Sequence, residues 1–318
     1  MPSASPIGTS CALNATNEPR FDRRANQTKA PQESLMPQFD RFAVADWSGA
    51  KGRRHPGIAL AVCETGVAAP TLVESPGRYW SRSEILQWVL AQRDDILIGF
   101  DFSFAPPFVD RNAYLPGETV PTDGAAFHAY VEALCEDEDL GAASLLEQHH
   151  RRHFYFGAAD GRKADYMHLR QCEARYNAGG GGKPSTVYDA IGAAQVAKAS
   201  FAGMRLLARL RGKVAVWPFD SLPNHGPVVV EIYAQIAARA TGLRKGLSKI
   251  RDALSLDAAL ANLGSEPHVP LARYTDHATD AILTAAWLRA NAGRAELWSP
   301  PAMTPIIAQT EGWTFGVS

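Results

Sequence analysis

The chain has few means of covalent cross-linking. Its four cysteines, Cys11, Cys63, Cys135 and Cys172, lie far apart and include no Cys-x-x-Cys pair. That spacing argues against a zinc knuckle or a disulfide framework and suits a reducing, cytoplasmic setting. No apolar run approaches the roughly 18–20 residues of a membrane-spanning helix, and the first residues lack the apolar stretch of a secretory signal. No membrane partner is therefore expected. There is no Gly-x-Gly-x-x-Gly turn opening a helix after the first strand and no Gly-x-Ser-x-Gly elbow, which speaks against nicotinamide chemistry and a serine hydrolase. Net charge is also nearly missing, at -1, so bulk attraction to a polyanion is not implied.

What is present is an ordinary globular composition, 46% hydrophobic and 20% charged, in a chain long enough to bury a sizeable core. The charge is unevenly distributed. Residues 101–150 hold about one basic and about 10 acidic side chains, whereas residues 151–251 hold about 17 Lys and Arg against about 6 Asp and Glu. One reading is a basic groove for a polyanion beside an acidic flap; the other is solvated surface.

Residues 1–38 are rich in Ser, Pro, Asn, Thr and Gln without apolar periodicity, and are expected to form a disordered tail ahead of one domain over 39–318. Met36 directly precedes the first strand and is a candidate translation start. From there the pattern is α/β. Strands are expected at 41–46, 58–63, 70–74, 95–102, 214–217 and 228–232. Helices are expected at 81–92, 187–211, 275–292 and, with breaks, 243–263. Residues 108–185, after the fourth strand, read as a long irregular insertion. The fold class this implies is a mixed β-sheet flanked by helices.

Three of the strand-like runs end in a carboxylate: Asp46, Asp101 and Glu231. The helix expected from 275 carries Asp276 and Asp280. A lone carboxylate beside buried strand is costly unless something pairs with it. Several together suggest a site that expects cations, Mg²⁺ or Mn²⁺, as in two-metal phosphoryl transfer. Each has a structural alternative: a strand-end turn for Asp46 and Asp101, a helix cap for Asp276, and an ion pair with Arg239, Arg244 or Lys245 for Glu231. Asp276 and Asp280 are four apart and share a helix face. His277 is expected to point elsewhere.

The motifs Asp46-Trp-Ser-Gly-Ala-Lys51, Gly99-Phe-Asp-Phe-Ser-Phe-Ala-Pro-Pro107, Trp217-Pro-Phe-Asp220, Val230-Glu-Ile-Tyr233 and Asp280-Ala-Ile-Leu-Thr-Ala-Ala-Trp287 resemble those of a ribonuclease-H-like family of predicted nucleases, domain of unknown function 429. The likeness runs to the closing Glu311-Gly-Trp-Thr-Phe-Gly-Val317. It departs at Ala234, where members often carry Pro. The resemblance implies a ribonuclease-H-like sheet. It also implies metal ligation by Asp46, Asp101, Glu231 and Asp280, with Asp276 as an extra ligand, and cleavage of a nucleic acid or other phosphodiester. Two alternatives share the fold: an actin- or sugar-kinase-like phosphotransferase, and a non-catalytic nucleic-acid or nucleotide binder.

Three further features bear on substrate. Lys51 follows the first carboxylate and is a candidate to neutralise phosphate. The Gly179–Gly182 run with Lys183 departs from a phosphate loop, because Pro184 stands where Ser or Thr should be. It reads as a hinge, or as a lid bringing Lys183 and Ser185 to phosphate. His149, His150 and His153 invite a metal reading, but without a matching Cys, His or carboxylate spacing nearby they read, with Arg151, Arg152, Arg162 and Lys163, as an exposed basic segment.

Overall fold

The computed structural model describes residues 37–182, 184–191, 196–244 and 249–318. The expected tail, up to residue 36, and Lys183 lie outside them. Six strands form one sheet in the order β3-β2-β1-β4-β6-β5. They are β1 (Arg41–Asp46), β2 (Ala59–Glu64), β3 (Thr71–Leu72), β4 (Ile96–Phe100), β5 (Ala215–Val216) and β6 (Val228–Glu231). Strands β1, β4, β6 and β5 run parallel, and β2 and β3 are antiparallel additions at one edge. The mixed α/β sheet read from the sequence is present. The third strand is two residues long, against the five expected.

The described helices are α1 (Arg82–Ala91), α2 (Gly124–Leu134), α3 (Gln171–Ala178), α4 (Val196–Leu210), α5 (Ala234–Ala240), α6 (Ala253–Ala261), α7 (Asp276–Asn291), α8 (Ala295–Trp298) and α9 (Pro305–Thr310). Of the helix expected over 187–211, the described residues show α4 (Val196–Leu210); Val187 and Tyr188 form a turn, Asp189 makes a bridge with Tyr155, and residues 192–195 lie outside the described residues. Of the broken helix expected over 243–263, the described residues show α6, and residues 245–248 lie outside them. Local sequence explains two helix starts. Ser81 and Glu84 make a reciprocal capping box on α1, and Thr275 accepts the Ala278 N–H to start α7. Asp276 is thus the first helical residue of α7 and not its cap.

All of β4 is buried, so both faces of the sheet must be covered. Val44, Leu97, Val228 and Val230 face α7 through Ala281, Ile282 and Ala285. Their neighbours Ala45, Ile98, Phe100 and Val229 face α1 and α4 through Ile85, Val89, Leu206 and Leu210.

The stretch expected to be irregular, 108–185, contains α2, α3 and a core of its own. Tyr114, Phe127, Leu145 and Phe154 pack on Phe201 and Met204 of α4, so α4 is apolar on two sides. Gly203 permits this, since a Cβ there would sit 2.2 Å from the Phe102 ring.

The two charge blocks meet at a few ion pairs. Glu132 pairs with Arg205 and Arg209, Glu147 with Lys51 and Lys198, and Glu118 with Arg152. Asp139, from the acidic run, turns inward to take the backbone N–H groups of Arg82 and Ser83. The basic groove and acidic flap expected from the charge counts are not supported by these pairings.

Candidate active site

The parallel strands β1, β4 and β6 end at one edge of the sheet, where a crevice in an open α/β sheet ordinarily takes its ligand. Pairing of Ala45 with Phe100 puts the next residues, Asp46 and Asp101, at the same level. Side chains alternate across the pleat. Ala45 and Phe100 face α1 and α4, so Asp46 and Asp101 emerge on the α7 side. Glu231 pairs with Phe100 and therefore has the opposite phase. One residue of register separates it from the two aspartates.

The first turns of α7 supply the rest. Asp280 lies one turn beyond Asp276. His277 is three residues before Asp280, a spacing that shares a helix face. The expectation that His277 points elsewhere is corrected here, because its Nδ1 lies 2.7 Å from Asp46 Oδ2. From the segment before α6, Lys249 Nζ lies 2.7 Å from Asp280 Oδ2, and Arg251 Nε lies 3.2 Å from Asp276 Oδ1. Sequence reasoning missed Lys249 and Arg251, which carry no spacing signal. The i, i+3 relation was available for His277.

Asp101 is the unanswered charge. Its carboxylate has no hydrogen-bond partner among the described residues. Burial, then the charges of Asp46 and Asp280, push it well above the usual carboxylate range, although Lys249 opposes this. Burial also raises Asp280, against the pull of Lys249. The hydrogen bond to Asp46 raises His277. Burial disfavours the Lys249 charge, yet Asp280, Asp276 and Asp46 outweigh it and hold the ammonium above its ordinary value.

Glu231 is in a different state. It is 3% exposed and satisfied on all sides. The guanidinium of Arg170 grips both its oxygens, with Nη1 2.7 Å from Oε2. The Phe104 N–H donates to Oε2 at 2.7 Å, and the Thr314 hydroxyl donates to Oε1. Arg170, 1% exposed, also holds Glu173 at 2.9 Å. Glu311 ties the same region together by accepting the N–H groups of Phe108, Val109 and Gln171. The partner of Glu231 is thus Arg170; neither Arg239 nor Arg244 is paired with it, and Lys245 lies outside the described residues. Its lone pairs are engaged in structure.

These groups line a cavity of about 540 Å³ that also takes in Ser48, Gly49, Phe102, Tyr176, Tyr233 and Ser185. Gly49 lets the loop after β1 approach α4, since a Cβ would meet Ala199 N at 2.2 Å. The buried Tyr176 hydroxyl has no partner among the described residues. Cys172 is no nucleophile, because burial pushes its thiol up to about 12. Ser185 lines the cavity. Lys51 instead pairs with Glu147 at 3.1 Å, and Lys183 lies outside the described residues. A more open hollow at the opposite ends of β1 and β4, lined by Arg41, Asp95 and His225, brings no such constellation together.

The donors Asp46, Asp101, Asp276 and Asp280 are all hard oxygens, which suits Mg²⁺ or Mn²⁺ better than a thiophilic ion. Asp101, half-buried and without a hydrogen-bond partner among the described residues, fits such a group. In the conformation described, the carboxylates are met by Lys249, Arg251 and His277. Among the described residues, only Glu118, His150 and His153 bring three ligand atoms within 4.8 Å of one another. Among the described residues no helix is long and apolar enough to cross a membrane. No protein-family model matches the chain, and neither a curated protein nor a solved structure matches it significantly.

Proposed function

We propose that the pocket at the carboxyl ends of β1 and β4 is a Mg²⁺- or Mn²⁺-dependent phosphodiesterase centre on a ribonuclease-H-like fold. The observation that carries this is Asp101, a half-buried carboxylate with no hydrogen-bond partner among the described residues, level with Asp46 and facing Asp280. Such a group is destabilising by itself and becomes useful when a cation is bound. Asp46, Asp101 and Asp280 would hold the metal, with Asp276 at the rim. Glu231 acts by fixing the wall through Arg170. A divalent cation in this setting supplies charge neutralisation at a phosphoryl group and a stronger oxygen nucleophile near neutral pH.

The chain's own groups do the rest. His277, half exposed and kept protonated by Asp46, is placed to give a proton to a leaving oxygen. Lys249 carries a mobile positive charge that can transfer from Asp280 to a phosphate. Tyr176 and Tyr233, packed edge to face at 5.6 Å between ring centroids, offer an aromatic wall.

The test is a cleavage panel with Mg²⁺, Mn²⁺ or chelator over single-stranded, duplex, hybrid and branched nucleic acids and small phosphodiesters. Asp46→Asn should abolish metal-dependent hydrolysis and leave the fold intact. Unchanged turnover in that variant removes Asp46 from the mechanism.

A further inference from the structure

The histidine-rich segment is only in part the exposed basic patch expected from its sequence: His149, Arg152, Arg162 and Lys163 are exposed, whereas His150 is buried. Residues Leu145–His149 and Arg151–His153 form two short helical turns that fold against α2. His150 is only 6% exposed, and its Nδ1 is a buried atom with no hydrogen-bond partner among the described residues. Its other nitrogen, Nε2, is held 2.7 Å from the hydroxyl of Tyr130 on α2. His150 Nδ1 lies 3.9 Å from Glu118 Oε1, and His153 Nε2 lies 3.1 Å from that same oxygen.

We propose that Glu118, His150 and His153 form a binding site for a borderline first-row cation of the zinc class, separate from the carboxylate pocket. Two imidazoles and one carboxylate are a recurring three-ligand set for such ions. Bonds of about 2.0–2.1 Å to a tetrahedral ion place the ligand atoms about 3.3–3.4 Å apart. The two separations around Glu118 Oε1, 3.1 and 3.9 Å, bracket that value. With the ring proton on Nε2, His150 donates it to the Tyr130 hydroxyl; this is the outer contact that ordinarily orients a ligating imidazole and leaves its other nitrogen, Nδ1, for the metal.

A plain ion-pair cluster accounts for His153 and Glu118, yet it leaves His150 Nδ1 orphaned. Arg152 is the competitor. Its Nη2 lies 2.7 Å from Glu118 Oε1 and its Nε lies 3.2 Å from His153 Nε2. With its side chain 62% exposed, it has room to swing into solvent. The guanidinium then stands in for a cation until one arrives. Bound metal would pin the segment before α2 to the turns after residue 144, stapling together the layer that packs on α4.

The experiment is calorimetric titration of the full-length, chelator-treated protein with Zn²⁺ alone. It is run on the wild type, Glu118→Gln, His153→Gln, Arg152→Ala and Asp46→Asn, with melting curves for each. The expected result is one stoichiometric site and a raised melting temperature in the wild type. Affinity should fall at least tenfold in Glu118→Gln and His153→Gln, be kept in Asp46→Asn, and rise several-fold in Arg152→Ala. Excess Mg²⁺ should not compete. His153 and Glu118 are only part-buried, so both variants should fold, and their metal-free melting curves check this. Zinc binding of equal strength in the wild type and both ligand variants overturns the proposal. So does the absence of a site in the wild type, or weaker binding in Arg152→Ala. Loss of binding in Asp46→Asn alone would place the zinc in the carboxylate pocket and overturn it equally.

Discussion

Glu231→Gln separates a structural carboxylate from a metal ligand. The substitution keeps the shape of the side chain and removes its charge. In the wild type the two oxygens accept from both terminal nitrogens of Arg170, from Phe104 N–H and from the Thr314 hydroxyl. A glutamine must turn an NH₂ toward one of these donors and leaves Arg170, 1% exposed, with Glu173 as its remaining side-chain counter-ion. Breaking a buried ion pair by removing one partner costs about 3–5 kcal/mol. Glu173 and the retained shape lower this to about 2–4 kcal/mol. At about 2 °C per kcal/mol for a domain of this size, the melting temperature should fall by about 4–8 °C. The assay is thermal unfolding without metal, followed by Mn²⁺ titration below the transition. The expected result is a lowered melting temperature with Mn²⁺ affinity within a few-fold of wild type. A melting temperature within about 1 °C of wild type, combined with lost Mn²⁺ binding, would refute the structural role and return Glu231 to the ligand set.

Asp101→Asn should do the opposite. Removing a half-buried charge among like charges should raise the metal-free melting temperature by about 2–4 °C, from about 1–2 kcal/mol, and abolish Mn²⁺ stabilisation; a lower melting temperature would contradict the reading. The pH dependence of the metal-free protein has a definite sign. Asp101 and Asp280 have raised folded-state values, so the folded protein holds more protons and stability falls as pH rises above the ordinary carboxylate range. His277 is also raised, so its contribution is complete below about 6.5 and is lost as pH rises through its folded value. The melting-temperature gain from Mn²⁺ should therefore grow between about pH 5 and pH 8, since metal competes with protons at these carboxylates; a gain that shrinks over that range would count against the site. His277→Gln should lower kcat by about 100-fold or more, as for loss of a general acid, and flatten the alkaline limb of the pH–rate profile. A retained limb would assign the proton to another group.

The period-two and helical patterns of the sequence determined the sheet, its flanking helices and the start of α7, because burial periodicity and caps are local properties. The short list of carboxylates was legible for a related reason: a charge at the end of an apolar strand is conspicuous in one dimension. Partnership was not legible. Arg170 meets Glu231 across 61 residues, and His277 meets Asp46 across 231. No local pattern encodes such contacts. The core inside residues 108–185 was hidden because its apolar residues are spaced by turns and short helices without one sustained period. Composition counts charges without pairing them, so contacts such as Glu132 with Arg205 and Arg209 were not legible in it. Tertiary structure alone decided which carboxylate is satisfied and which is left facing the cavity, through one residue of pleat phase between Asp101 and Glu231 and the arginine that only one of them can reach.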